Sequence, residues 1–160
     1  MKRTHYNLIA TLVIATAIAP ATSAQPHLPD ETATFTIPPA KIAQMSSSQW
    51  DAFGKRISRA LTAQNAGVRE AAMRGVIQYA THISFDRRAI ISLARTYRND
   101  ENDNRRRMAV VALAATEDAW ALDYLERSLP FERSTPVRHT VAAALVEAGI
   151  IGLGPARSSN

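Results

Sequence analysis

Three stretches of the chain lie over one another without a gap: Val68-Arg69-Glu70-Ala71-Ala72-Met73-Arg74-Gly75-Val76, Arg105-Arg106-Arg107-Met108-Ala109-Val110-Val111-Ala112-Leu113, and Val137-Arg138-His139-Thr140-Val141-Ala142-Ala143-Ala144-Leu145. Each has an arginine in second place and an aliphatic residue seven positions later, with small residues filling the face between. Seven residues are about two turns of an α-helix, so the arginine and the aliphatic residue share a side. The stretches between them align as well, Ala89 to Tyr97 over Ala121 to Leu129, each ending nine residues before the next arginine. The repeat period is 37 residues and then 32. Periods in this range belong to stacked pairs of helices, in which one unit cannot bury its apolar face alone.

Local signals agree with helices throughout. Prolines fall at 20, 26, 29, 38 and 39 and then not again until Pro130, and the interval is rich in Ala, Arg, Leu and Glu. No sustained alternation of apolar and polar residues marks a strand. A first helix follows Ser47-Ser48-Gln49, with Trp50, Phe53, Ile57, Ala60 and Leu61 inward and a serine as its cap. Asn65 opens the next, with Ala71, Ala72, Gly75, Val76 and Tyr79 on one face. Asp86 caps a third, with Ala89, Ile90, Leu93, Ala94 and Tyr97 inward. Asp103 is expected to cap the helix of the second arginine stretch, Asp118 the helix that Pro130 closes, and Thr135 the last, which has Pro136 at its first position and ends near Gly149.

These residues carry a resemblance to the HEAT family in its bacterial form, with a V-R-x-x-A-x-x-A-L first helix, a G-D-x-x-A turn and an A-V-x-x-L-x-x-x-L second helix. Arg69, Arg106 and Arg138 match the family's arginine. Glu117-Asp118 stands where the Gly-Asp turn would be, and Ala121, Leu122, Leu125 and Leu129 match the second helix. The departures are Arg105 in place of valine, Glu117 in place of glycine, and the longer turn "THISFDRR". The resemblance covers Ala66 to Gly149. It implies an all-α fold, a short right-handed α-solenoid of about two and a half HEAT-like helix pairs, with the Trp50 helix as an N-terminal cap. It also implies one structural role for the three repeat arginines, bonding to turn groups of an adjacent unit, and leaves Arg105 and Arg107 as surface charge.

The flanks have other characters. Lys2 and Arg3 precede an uncharged apolar run from Leu8 to Ala19, then Pro20 and the small residues Thr22-Ser23-Ala24. That is the layout of a secretory signal peptide over residues 1–24, cleaved after Ala24. An uncleaved anchor is the alternative, but the run falls short of the ~20 apolar residues a membrane span needs. Residues 25–45 mix Pro and Thr without helical periodicity and read as an extended, flexible arm; residues 46–150 form the repeat domain and 151–160 a flexible tail. With no cysteine, stability must come from packing. The expected location is periplasmic or secreted.

Candidate chemistry is sparse. His27, His82 and His139 have no metal-ligand spacing, and Asp100, Glu101 and Asp103 lack the spacing of a calcium loop. No nucleophile–base pair, phosphate loop or cofactor fingerprint appears, so no catalytic, metal or cofactor residue is assigned and the expectation is a non-enzyme. Two function classes remain. The first is an exported adaptor or scaffold that binds a protein partner through its second helices, where Arg88, Ile91, Arg95, Trp120, Asp123, Tyr124 and Arg127 fall off the core stripe. Trp, Tyr and Arg dominate binding hot spots, although Tyr124 fits ordinary packing equally well. The second is a polyanion or nucleic-acid binder using Arg87, Arg88, Arg95, Arg98, Arg105 and Arg107. The formal charge of +5, which falls to +3 without Lys2 and Arg3, and the interleaved acids weigh against it.

Overall fold

In the computed structural model the chain is described over residues 35–152. The expected signal peptide, the first part of the arm and most of the tail lie outside the described residues. Those described form seven α-helices and no strand: α1 (Pro39–Ile42), α2 (Ser47–Ala60), α3 (Ala66–Tyr79), α4 (Arg87–Asn99), α5 (Asp103–Ala115), α6 (Ala119–Ser128) and α7 (Thr135–Glu147). Short 3-10 turns at Ala80–His82 and Leu129–Phe131 follow α3 and α6. None of these helices is long and apolar enough to cross a membrane.

Side-chain oxygens start the helices by accepting the free N–H groups of the first turn. Ser46 and Gln49 form a reciprocal capping box on α2. Asn65 accepts from Gly67 and Val68, Asp86 from Ala89, and Asp118 from Ala121. Two caps differ by one residue from the sequence expectation. Asn102, not Asp103, caps α5, which leaves the Asp103 carboxylate free to bond elsewhere. Ser134, not Thr135, caps α7, so Pro136 occupies the second helical position. At the far end of α7, Gly149 takes a left-handed φ of 71°, and the Ile150 N–H bonds to Leu145 O at 2.9 Å, closing the helix.

One continuous core holds the helices together. Ala72, Ala109 and Val141 are buried at the same repeat position, as are Gly75, Ala112 and Ala144, and Val76, Leu113 and Leu145. The shared burial shows that the three aligned stretches present the same face inward. Small residues there let the backbones approach, and α5 packs against α3, α4, α6 and α7. Helix α2 packs on α3 and α4, and α6 on α7. From the other helices come the fully buried Ile57, Leu93 and Leu125, each side chain worth about 1.5–3 kcal/mol over exposure.

Residues 35–45, expected within an extended arm, are docked. Phe35, Ile37, Ile42 and Met45 are half-buried against the core, and the Ile37 N–H donates to the Tyr79 hydroxyl at 2.7 Å. Gly75 makes the docking possible. A Cβ there would lie 3.0 Å from both the Phe35 Cβ and the Ile57 Cδ1. The stretch shows no single period because extended Phe35 and Ile37 touch the core as alternate residues, while Ile42 and Met45, in and just after the one-turn helix α1, touch it three residues apart.

Candidate functional site: the surface of α4 and α6

Exposed Arg88 and Arg95 stand two turns apart on α4 with half-buried Ile91 between them. Their side is opposite to buried Ile90, Leu93 and Tyr97, as the 3.6-residue period requires. On α6 the buried set is Ala121, Leu125 and Ser128, which turns Asp123 and Arg127 outward and Trp120 and Tyr124 toward α4.

The aromatic residues there are tied into the fold. Trp120 and Tyr124 stack with ring centroids 5.3 Å apart and planes 10° apart. The Arg87 guanidinium covers the Trp120 ring at 4.5 Å, and Tyr97 meets Tyr124 edge-on at 6.0 Å. Both Trp120 and Tyr124 are consequently half-buried, a stacked, cation-capped platform. Arg127 is paired to Asp123 at 2.7 Å, but both are largely exposed and the pair contributes at most about 1 kcal/mol. The seven residues singled out from sequence thus divide into a platform (Trp120, Tyr124), a surface ion pair (Asp123, Arg127) and an α4 row (Arg88, Ile91, Arg95).

The three repeat arginines are not equivalent. Arg69 donates to Ala63 O at 2.8 Å and Gln64 O at 2.6 Å, the carbonyls that close the preceding turn. Arg106 donates to Tyr97 O at 2.9 Å and to Asp103 at 3.1 Å, and also pairs with Glu132 beyond α6. Glu132 is buried and also accepts the Ser134 N–H at 2.9 Å, while the Ser134 hydroxyl bonds to Asp103. Burial would raise the Glu132 carboxyl, but the Ser134 N–H and the Arg106 guanidinium hold it below the ordinary carboxylate range. Arg138 is the correction: it is exposed, its backbone N–H bonds to Ser134 O as part of the helix start, and its side chain has no hydrogen bond or ion pair with another described residue. Its preceding unit ends in the 3-10 turn Leu129–Phe131, and the acid there, Glu132, is already engaged by Arg106.

The neighbours of Arg106 are also engaged. Arg105 pairs with Asp100 at 2.8 Å and thereby lowers the Asp100 carboxyl, and Arg107 reaches the Thr140 hydroxyl of α7 at 3.0 Å. Positive charge collects elsewhere. Helices α2 and α4 together carry Lys55, Arg56, Arg59, Arg87, Arg88, Arg95 and Arg98, against one acid within them, Asp51. Between these helices run two open clefts of about 740 and 350 Å³ that share Thr62. Lys55 and Arg59 escaped the sequence reading because α2 was assigned to capping alone, and the period of its own stripe does not say which helix faces its polar side.

Phe131 is another residue that periodicity missed. It is 78% exposed in the turn after Pro130, outside any helical stripe. For metal chemistry, the described residues hold no group of three or more His, Asp or Glu side chains. His82 stacks on Trp50 at 4.5 Å, and His139 is exposed.

Comparison with known proteins returns no matching family model, no matching curated protein and no matching solved structure.

Proposed function

We propose that the chain is an exported HEAT-like helical-repeat module, non-catalytic, that binds another protein through the surface of α4 and α6. The observation that carries this reading is the half-buried, stacked platform of Trp120 and Tyr124, capped by the Arg87 guanidinium of α4. Rigid aromatic groups flanked by arginines give binding energy at low entropic cost. The solenoid part of the proposal is supported by the common burial register of the three repeats and by the packing of α3 on α5 and α5 on α7. It is supported also by Glu117, whose φ of 52° is the left-handed backbone for which a glycine in the turn would be suited. Export rests on the N-terminal sequence alone.

The test is affinity capture from the cell envelope, comparing the chain with its Trp120→Ala/Arg127→Glu variant, folding of both checked by circular dichroism. Partners recovered by the first and lost by the second are expected. Identical recovery by both removes the α4–α6 surface from the proposal. The concentration of cations on α2 and α4 favours a second reading, polyanion binding, for which affinity for duplex DNA would fall steeply as salt rises.

A further inference from the structure

We propose that the groove between α2 and α4 docks an acidic polypeptide segment, an inference that rests on the interaction-module reading and names the chemistry of its partner. The groove is built by packing rather than by sequence neighbourhood. One wall presents Lys55 and Arg59 from α2, the other Arg88 and Arg95 from α4. All four are exposed, and no carboxylate among the described residues is ion-paired with any of them. By contrast Arg105, Arg106 and Arg127 are each matched by an acid of the chain itself. The four cations of the groove are therefore without an ion-pair partner among the described residues, and Asp51 and Asp86 are the acids at one end of it.

Spacing fits an extended peptide. Arg88 and Arg95 are two turns apart, about 10.5 Å, and Lys55 and Arg59 about 6 Å. In an extended strand two residues span ~7 Å and three span ~10 Å, so carboxylates two residues apart can meet Lys55 and Arg59 and carboxylates three apart can meet Arg88 and Arg95. Hydroxyls of Ser58 and Ser92 also line the groove as donors for peptide carbonyls. Two features favour a peptide over a phosphate chain. Half-buried Phe85 offers an apolar contact in the groove, and Asp51 and Asp86 at the same end repel a uniform run of phosphates.

Titration calorimetry of the chain with a short peptide of Glu-Glu-Leu repeats at physiological salt tests this. Arg88→Glu/Arg95→Glu is expected to weaken binding by about tenfold or more. The charge-matched Arg133→Glu/Arg138→Glu variant is expected to stay within about twofold. Arg88→Gln/Arg95→Gln gives the same comparison without added negative charge if the first pair disturbs folding. Equal weakening by the two charge-reversed variants overturns the groove, as does an absence of binding. Tighter binding of a single-stranded oligonucleotide or of phosphatidylglycerol vesicles than of the peptide overturns the choice of partner. Should the peptide fail while envelope partners are still captured through Trp120, the groove is rejected and the interaction module stands; failure of both rejects both.

Discussion

Replacing Arg106 by methionine keeps the aliphatic stem and removes the charge. The side chains of Arg106 and Glu132 are 17% and 5% exposed, so the substitution strands a carboxylate in a place nearly closed to water. The Ser134 N–H remains as its partner, but the Tyr97 carbonyl also loses the Arg106 donor. Breaking such a pair costs about 3–5 kcal/mol, which for a domain of this size lowers Tm by roughly 12–20 °C. Arg69→Met loses two bonds to part-exposed carbonyls and should cost about 1–2 kcal/mol, and Arg138→Met should stay within about 0.5 kcal/mol. Urea and thermal unfolding followed by circular dichroism measure all three. The pH dependence adds a second constraint. Because the folded Glu132 carboxyl lies below its unfolded value, its contribution is complete above the ordinary carboxylate range and is lost as pH falls through the folded value. Without Arg106, burial dominates and raises that carboxyl, so the gap between wild type and variant should be widest at neutral pH and narrow in acid. Adding Glu132→Gln to Arg106→Met should recover about 1 kcal/mol or more. Equal losses for Arg106→Met and Arg138→Met, or a gap that ignores pH, would refute the reasoning.

Leu125→Ala empties a fully buried site on α6 and is expected to cost about 2–5 kcal/mol in urea unfolding; an unchanged midpoint would mean the buried face of α6 is misassigned. Glu117→Gly should stabilise the chain by about 0.5–1 kcal/mol, since left-handed backbone costs a non-glycine residue about 1–2 kcal/mol and glycine returns part of that as chain entropy. Destabilisation on the same measurement would show that the turn before α6 is held by the Glu117 side chain instead.

Helix positions were legible in the sequence because caps and a 3.6-residue stripe are local signals. Asn65, Asp86 and Asp118 cap as expected, and Ile90, Leu93 and Tyr97 are inward. The errors at Asn102 and Ser134 arise where two capping residues are adjacent, Asn102 with Asp103 and Ser134 with Thr135, and backbone geometry selects the earlier one. Tertiary partners were less legible. A matching arginine at three positions does not reveal which has an acid within reach, and that depends on where the Leu129–Phe131 turn carries Glu132. Docking of Phe35 on Gly75 joins segments distant in the chain and leaves no period to read. The platform residues Trp120 and Tyr124 were found through their position off the stripe, but their stacking with Arg87 depends on how α4 and α6 meet.

Nearly every helix contact of α5 joins it to an element no more than two helices away along the chain. Closing such short loops costs little entropy, so assembly is expected to be fast and to need no distant pairing before core contacts form. The densest packing lies where α5 meets α4, which makes that pair the natural first structure and the last to open. Amide exchange should therefore be slowest near Val110 and Leu113 and quicken toward both ends of the domain.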